Sequence, residues 1–393
     1  MCSRSGGHAM IDRSALLIGT VLAAGGVACA QAPEPQIVGR HGPPGGEVPR
    51  PALPDTEENR RTIVGALADA LERNYVFPDV ALRYAQALRT KAAAGGYADL
   101  GDRFGETVTA DLQAIHADRH VRFGPTGGPD AAGPGPRRVM MAPGAAGAPP
   151  PGPGGPAPRR VMRRPDASSA IGQSGWIADG VAYIDIGLFP GTPETVERFR
   201  AFLEAHKDAR AIIFDIRGHH GGGLADMDAI FSYIYPRETL LLGMDTRTAA
   251  ERQGGNPMGE SGTIRRASAP DGISRTMHYA IPGPDTPLRR AQVFLLTSRR
   301  SGSAAEHFAL ALKRTHRATL IGETTAGAGH YGRMVDFGGY AAFVPVGRTF
   351  DPDNNWDWEG VGVSPDVPVP ADQALDEALR RLGVTPEQRR PLT

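Results

Sequence analysis

From Ile171 onward the chain alternates short apolar runs with helix-type patterns, and this alternation constrains the fold more than any other feature. The runs "WIADGVAYIDIGLF", "ARAIIFDI", "TLLLGMD", "AQVFLLTS" and "ATLIGE" are typical of strands, whereas "PETVERFRAFLEAH", "LADMDAIFSYIY" and "AAEHFALALKR" have helical spacing. Buried strands separated by amphipathic helices predict an α/β domain with a largely parallel central sheet. Ligands bind such sheets at the carboxyl ends of the strands, so we expect chemistry after "FDI" and after "FLLTS".

The segment "RGHHGGG" follows "FDI" and contains Gly221, Gly222 and Gly223. Glycines adopt backbone conformations barred to other residues and bring bare N–H groups close to a ligand, although a tight turn between strand and helix explains them equally well. Phosphate binding is disfavoured, because neither "GKS" nor "GxGxxG" follows the strand. His219 and His220 in this loop belong either to a solvated turn or to a substrate contact.

Ser303 follows "FLLTS" and opens the next helical pattern. With Glu306 three residues later it matches a capping box, which is reason enough for a serine here. The N-terminus of a helix also favours developing negative charge, so a nucleophile at this point, beside a glycine loop, has the surroundings that acyl transfer needs. A cap and a nucleophile are compatible roles for Ser303.

A helical module is predicted over residues 57–123, from "RTIVGALADALERNYV", "DVALRYAQALRTKAAAGG" and "LGDRFGETVTADLQAIHADRH". We expect Tyr75 and Phe77 in its core. His116 and His120 have the i, i+4 spacing of zinc ligands, but the glutamate of "HExxH" is replaced by Ala117 and no third ligand is evident. No metal is therefore expected.

The rest of the chain predicts an exported protein with a disordered linker. Residues 1–30 combine a basic start, the apolar run "ALLIGTVLAAGGVACA" and small residues, as secretory signals do. Cys29 in "GVAC" loosely resembles a lipoprotein box, so lipid anchoring is the alternative to soluble export. Residues 31–56 form a polar spacer, and residues 124–170, rich in Gly, Pro and Ala, lack the apolar periodicity of a folded segment. The catalytic domain is predicted at residues 171–386.

Composition excludes several classes of protein. Lys plus Arg and Asp plus Glu both number 43, so no positive excess indicates nucleic-acid binding. Cys2 and Cys29 are the only cysteines, so the exported body has neither a disulfide framework nor a thiol nucleophile. The linker repeats "PRRVM" at Pro136 and Pro158, which is either drift in a low-complexity segment or a pair of basic tags for a partner or a membrane surface.

Five segments together resemble peptidase family S41, the group of the C-terminal processing peptidases, tricorn protease and interphotoreceptor retinoid-binding protein. They are "NYVFPDVALRYAQAL", "DLQAIHADRHVRFG", "AIIFDIRGHHGGG", "LLTSRRSGSAAEHFALALKRTHRATLIGETTAGAGH" and "EGVGVSPDV". The resemblance implies a ClpP/crotonase-like α/β core with a small helical N-terminal subdomain. It implies Ser303 as nucleophile, with an oxyanion hole formed by Ala304 and by Gly221 and Gly222 of the glycine loop.

The same resemblance implies which group acts as the base. In the processing-peptidase branch a lysine does so, but Ala328 occupies its position in "GETTAGAGH". The tricorn-like branch uses a histidine and a glutamate, which His120 and Glu359 match. The serine that precedes this histidine in tricorn is Arg119 here, a departure that puts the orientation of the base in question. The linker is also too short for the PDZ domain that processing peptidases insert.

These observations predict an exported serine endopeptidase that acts on peptides or proteins without a cofactor. His330 closes the "GETTAGAGH" segment and is either a rival base or a substrate contact. The alternative is a non-catalytic binder of hydrophobic small molecules, which an intact Ser303, His120 and Glu359 set disfavours. An acyl-CoA enzyme of the crotonase type would share the oxyanion hole but would not use an activated serine.

Overall fold

The structure is a computed structural model and describes residues 53–126 and 170–392. The predicted signal segment, most of the predicted spacer and nearly all of the predicted linker lie outside the described residues, and the domain limits given above stay predictions. Among the described helices, none has the length and apolar character needed to span a bilayer.

Helices and strands alternate through most of the described chain. The helices are α1 Glu57–Asn74, α2 Pro78–Ala93, α3 Phe104–Ile115, α4 Pro193–Ala205, α5 Ala225–Ile234, α6 Thr248–Gly254, α7 Ala304–Arg314 and α8 Ala374–Arg381. The strands are β1 Arg122–Pro125, β2 Ile171–Ala178, β3 Val181–Ile186, β4 Ala211–Asp215, β5 Thr239–Arg247, β6 Ile264–Ala267, β7 Ile273–Ala280, β8 Gln292–Thr297, β9 Thr319–Gly322, β10 His330–Asp336, β11 Tyr340–Phe350 and β12 Val367–Pro368.

The first sheet has the strand order β12-β9-β8-β4-β3-β2, and every pair in it is parallel except β2 with β3. All five residues of β4 are buried, as its continuous apolar run requires of a strand covered on both faces. This sheet, with apolar side chains of α4, α5 and α7 in its core, confirms the predicted α/β fold.

A second sheet was not predicted. It is antiparallel, with the order β1-β11-β5-β7-β6 and with β10 paired to β11. The helices α1, α2 and α3 share one core with apolar side chains of this sheet, among them Ala342, Val344 and Val346 of β11. Tyr75 is buried there and Phe77 packs against it, which confirms the expectation for both. The helical subdomain therefore attaches to the catalytic fold through the antiparallel sheet.

The helix α3 ends earlier than its apolar pattern suggests. Its last residue is Ile115, and the backbone at His116 is extended, with φ of −154° and ψ of 128°. His116 and His120 consequently do not lie one turn apart on a helix, so the spacing argument for a zinc pair is wrong. The chain from His116 to Val121 is instead a loop that leads into β1.

Candidate active site

Two loops meet at the carboxyl ends of neighbouring parallel strands. Asp215 at the end of β4 pairs in register with Leu296 of β8, so the glycine loop and the Ser303 turn leave the sheet side by side. The hydroxyls of Ser301 and Ser298 donate to the carbonyls of Ile216 and Arg217, both at 2.7 Å. The sheet topology and these bonds fix the position of one loop against the other.

Ser303 has an unusual backbone for a residue with a side chain. Its φ is 58° and its ψ is −118°, immediately before α7 begins at Ala304. A residue other than glycine in this region costs on the order of 1 to 3 kcal/mol, and such strain persists where surrounding contacts over-determine it. A strained turn from strand to helix presents a serine hydroxyl outward, as the nucleophile elbow of other hydrolases does.

The glycine loop approaches Ser303 so closely that a side chain there would be crowded. A Cβ atom at Gly221 would lie 3.0 Å from the Ser303 Cβ and 3.3 Å from its Oγ. At Gly222, where φ is 130°, a Cβ atom would lie 2.0 Å from the Phe189 carbonyl oxygen. That carbonyl accepts from the Gly223 N–H at 2.7 Å, and the Phe189 N–H donates to Gly221 at 3.0 Å. Close approach therefore requires glycine at position 222, whereas at position 221 a φ of 120° and the crowding against Ser303 together favour it.

The two predicted glycine donors differ in their hydrogen bonds. The Gly221 N–H donates to Nδ1 of His219 at 3.0 Å and is already engaged. By contrast, the N–H groups of Gly222 and Ala304 make no hydrogen bond within the described part of the chain. Gly222 follows Gly221, the glycine that lies against Ser303, and Ala304 follows Ser303 itself. Each of the two loops that meet here therefore has one N–H group that is free to donate.

His219 is buried and accepts a hydrogen bond from the glycine loop, so it supports this loop and does not face a substrate. Its ring is fully buried and packs on Phe189 with centroids 4.3 Å apart. Burial, with a smaller contribution from His220, lowers the pKa of His219 to about 3, so the ring is neutral. His220 is only partly buried and remains compatible with a substrate contact.

Glu306 is a buried carboxylate that ties Ser303 to a distant segment. Its side-chain oxygens accept from the Ser303 N–H at 3.0 Å, the Thr325 hydroxyl at 2.6 Å, and the N–H groups of Gly327 and Ala328, both at 2.7 Å. Burial raises the pKa of Glu306, and these four donors oppose that rise by stabilising the charged form. The capping-box glutamate thus anchors the "GETTAGAGH" segment to the nucleophile turn.

Glu359 links His120 to the "GETTAGAGH" segment, as Glu306 links Ser303 to it. Its Oε2 accepts from His120 Nδ1 at 3.2 Å and from the N–H groups of Gly329 at 2.6 Å and His330 at 2.9 Å. Its Oε1 accepts from the Arg119 N–H at 2.7 Å. Because His120 Nδ1 donates to a carboxylate, its Nε2 carries the lone pair, which is the form a general base needs.

The two carboxylates hold neighbouring residues of one segment. Glu306 takes the N–H of Ala328, and Glu359 takes the N–H of the next residue, Gly329. Ser303 is bound to the first carboxylate and His120 to the second. The nucleophile turn and the base loop, which are 183 positions apart in the sequence, are in this way fixed to successive peptide groups.

A second buried histidine lies behind Glu359. His330 Nδ1 donates to Asp118 Oδ2 at 2.7 Å and lies 3.9 Å from Glu359 Oε2, and the side chains of His330 and Asp118 are both completely buried. Asp118 also accepts from the Tyr75 hydroxyl and the His120 N–H, both at 2.8 Å. Burial alone would raise the pKa of Asp118, but His330, His120 and Tyr75 hold it below its ordinary value.

Asp118, His330 and Glu359 are also the described residues whose ligand atoms could converge on a metal ion, since these atoms lie within 4.8 Å of one another. Their oxygens, however, already have hydrogen-bond donors. Glu359 Oε2 accepts three N–H groups, and Asp118 Oδ2 accepts from both Tyr75 and His330. Hydrogen bonding therefore accounts for this cluster without a metal.

Comparison with known proteins identifies this arrangement at family level. Residues 180–369 match the sequence profile of peptidase family S41. This region of the chain belongs to peptidase family S41. The matched region contains the glycine loop, Ser303 and Glu359 and begins after the helical subdomain, so His120 lies outside it.

Solved structures of S41 peptidases and related proteins resemble this one at low sequence identity. A candidate peptidase from Parabacteroides merdae is 16% identical, with 82% of this chain and 96% of that chain covered and a TM-score of 0.52, which shows the shared fold. The photosystem II D1 C-terminal processing protease is 16% identical over 82% of this chain and 97% of its own, with a TM-score of 0.47. Tricorn protease is 13% identical over 83% of this chain and 36% of its own, with a TM-score of 0.48.

Within the S41 fold, the roles predicted for His330 need correction. His330 is fully buried and bonded to Asp118, so it can neither touch a substrate nor receive the Ser303 proton in this structure. The Arg119 side chain is exposed, and its backbone N–H makes the contact with Glu359. Ala328, at the position of the lysine in the other S41 branch, is buried.

Two residues of this S41 site were not singled out from the sequence. Asp118 stands in the polar string "HADRH", where nothing marks it for burial. The sequence marks Glu306 only as part of a capping box. The one available signal was its position in the first turn directly after the candidate nucleophile.

Proposed function

We propose that this S41 peptidase is a serine peptidase in which Ser303 is the nucleophile and His120 the general base. Glu359 orients His120 and stabilises the imidazolium that forms when His120 takes the proton. The observation that carries this proposal is the pair of buried carboxylates described above, which attach the Ser303 turn and the His120 loop to adjacent residues of one segment. Family membership supports peptidase activity, and the individual roles are our inference from the site.

The reaction follows from these positions. Ser303 Oγ attacks the carbonyl carbon of the scissile peptide bond while His120 Nε2 takes the hydroxyl proton. The N–H groups of Gly222 and Ala304 would stabilise the resulting oxyanion. Collapse of the tetrahedral intermediate breaks the C–N bond, His120 delivers its proton to the leaving amine, and an ester on Ser303 remains. Water then attacks the ester by the same route and releases a carboxylate product.

We leave Gly221 out of this oxyanion hole because its N–H is bonded to His219. Its role is to approach Ser303 without a side chain. The branch-level proposal is the tricorn-like one, since a buried alanine at position 328 supplies no base. The substrate class we propose is peptides and proteins.

Labelling by a fluorophosphonate tests the nucleophile directly, because the reagent needs an activated serine and no knowledge of the substrate. We expect labelling of the wild type, none of Ser303→Ala and a large loss in His120→Ala, with parallel losses of casein and peptide hydrolysis. Ser268→Ala and His316→Asn are matched controls, since both side chains are exposed and neither contacts a residue of the site. A wild type that folds and binds apolar ligands but is not labelled would favour the non-catalytic alternative. Labelling that persists in Ser303→Ala would remove Ser303 from the mechanism.

We also propose export, on the sequence of residues 1–30 alone. Mass spectrometry of the mature N-terminus separates the two routes. A chain that begins at Gln31 indicates soluble export, a lipid-modified Cys29 indicates anchoring, and an intact Met1 in the purified envelope fraction would contradict both.

A further inference from the structure

The buried pair Asp118 and His330 has no part in the proton transfers proposed above, yet it lies directly behind them. Asp118 accepts the backbone N–H of His120, and His330 donates its own backbone N–H to Glu359. The pair therefore touches both members of the proposed base system. Neither side chain reaches the surface, so neither can act on a substrate.

We propose that Asp118 and His330 form a positioning and charge-compensating pair, in which an imidazolium beside Glu359 leaves His120 able to accept the Ser303 proton. This inference rests on the proposed function, because it concerns how His120 acts as a base. His330 is a positioning residue in it and not a catalytic one.

The charges of the cluster give the reason. Two carboxylates, Asp118 and Glu359, are buried within hydrogen-bonding distance of His120. A histidine facing two uncompensated negative charges holds its proton too tightly to serve as a base. With His330 protonated, the Asp118 charge is balanced, and only Glu359 remains to stabilise the His120 imidazolium that forms during the reaction.

The carboxylates around His330 favour a charged ring, and its Nε2 has no hydrogen-bond partner among the described residues. Burial lowers the pKa of His330, but the charge of Asp118 and its hydrogen bond, followed by Glu359 and Asp357, raise it overall. The aromatic rings of Tyr75 and Phe77 lie edge-on, with centroids 6.4 and 5.4 Å from the His330 ring. Further titratable or charged groups on the elements that surround the cluster include Tyr84, Arg83, His116, Arg119, Arg122 and Arg348. Burial raises the pKa of Tyr75 and of Tyr84, so both hydroxyls stay neutral.

The effect should be large enough to measure. His330 Nδ1 and His120 Nδ1 lie 3.9 and 3.2 Å from the same Glu359 oxygen. The two rings are thus within roughly 7 Å of each other, and loss of one charge at this distance moves a titration by about 1 to 2 pH units in an effective dielectric near 20.

His330→Asn removes the positive charge but leaves Asp118 ionised, because Asp118 still accepts from Tyr75, His120 and Val121. The acidic limb of the kcat/KM profile should then move to higher pH by about 1 to 2 units, with activity recovering at alkaline pH. Asp118→Asn removes one negative charge and leaves His330 buried and neutral. In that variant, and in the double variant Asp118→Asn/His330→Asn, the limb should stay within about half a unit of the wild type.

A pair with a purely structural role would behave differently. All three variants would then lose stability or kcat without a shift of the acidic limb, and the double variant would have no shift to reverse. His206→Asn is a matched control, since His206 is also buried but bonds the Phe202 carbonyl and no carboxylate. His330→Gln is the second variant if the asparagine form does not fold.

Imidazole NMR titration of His120 supplies a readout that does not need activity. It should move by the same 1 to 2 units in His330→Asn and should return in the double variant. An unmoved His120 titration and an unmoved limb would overturn the inference. Failure of the proposed function appears separately, as persistent fluorophosphonate labelling or hydrolysis in Ser303→Ala or His120→Ala.

Discussion

Glu306→Gln tests whether the carboxylate in the first turn of α7 is only a helix cap or the anchor of the active site. The side chain is fully buried, and its two oxygens accept from four donors, namely Ser303, Thr325, Gly327 and Ala328. A glutamine has the same shape but one oxygen, and its NH₂ group cannot accept. Two of the four donors therefore lose their acceptor and face another donor.

The magnitude follows from the number of orphaned groups. Each buried donor left without an acceptor costs about 1 to 3 kcal/mol, and relief of a buried charge offsets part of this. We expect a loss of about 2 to 4 kcal/mol in the free energy of unfolding, which lowers Tm by roughly 5 to 15 °C in a domain of this size. A cap alone would account for about 1 kcal/mol.

Activity should fall as well, because Ser303 and the segment from Thr325 to Ala328 lose their shared anchor. A misplacement of about 1 Å at a nucleophile can cost on the order of 100-fold, and we expect kcat/KM to fall by about 10- to 100-fold. Calorimetry and peptide hydrolysis measure the two effects. Glu194→Gln is the matched control, an exposed acid in the first turn of α4. A Tm within about 1 °C and a kcat/KM within about twofold of the wild type would refute the anchor and leave only a cap.

Two further predictions concern the glycine loop and the buried ion pair. Gly222→Ala places a Cβ atom 2.0 Å from the Phe189 oxygen at a φ of 130°, so peptide hydrolysis should be abolished and Tm lowered by several degrees. The control is Gly218→Ala in the same loop, whose Cβ atom meets nothing within 4 Å and should change neither hydrolysis nor Tm. Against the effect of burial, His330 lowers the pKa of Asp118 from 3.8, so the stability that Asp118 contributes is lost as the pH falls below 3.8. Against the effect of burial, Asp118 raises the pKa of His330 above 6.5, so the stability that His330 contributes is lost as the pH rises beyond 6.5. The Tm difference between the wild type and Asp118→Asn/His330→Asn should therefore be largest between pH 3.8 and 6.5 and shrink as the pH rises further, and a difference independent of pH would show that the pair is not ionised.

The location of the chemistry could be predicted from the sequence because it depends on short-range patterns. Continuous apolar runs mark β4 and β8 as buried strands, and parallel strands bring their carboxyl ends to one edge. The glycine loop and Ser303 follow these two strands directly. No long-range information was needed to expect them together.

The antiparallel sheet could not be predicted in the same way. Its strand β11 pairs with β1 and with β5, whose nearest ends lie more than 90 positions away in the chain. Such pairings depend on the register and packing of segments that carry no local mark of each other. His120 and Asp118 reach the site through the loop before β1, so short-range patterns could not place them there, and His120 and Glu359 are expected only from the family resemblance.

Burial hid Glu306 and Asp118 from sequence reasoning for a related reason. Acidic side chains are rarely buried without partners, so the sequence favours a solvated helix cap for Glu306 and a solvated loop for Asp118. Their partners are peptide N–H groups and ring nitrogens supplied by the chain from Thr325 to His330. A peptide N–H has no sequence signature, because every residue except proline carries one.

The same fact explains why the departure at Arg119 does not disable the proposed base. The contact that Arg119 makes with Glu359 Oε1 is a backbone N–H at 2.7 Å, while its side chain is exposed. Replacement of a serine side chain by arginine leaves this donor in place. Glu359 Oε2 is held independently by the N–H groups of Gly329 and His330, so three peptide groups fix the carboxylate before His120 donates to it. The orientation of His120 therefore depends on the path of the backbone around Glu359 and not on which side chain precedes the histidine.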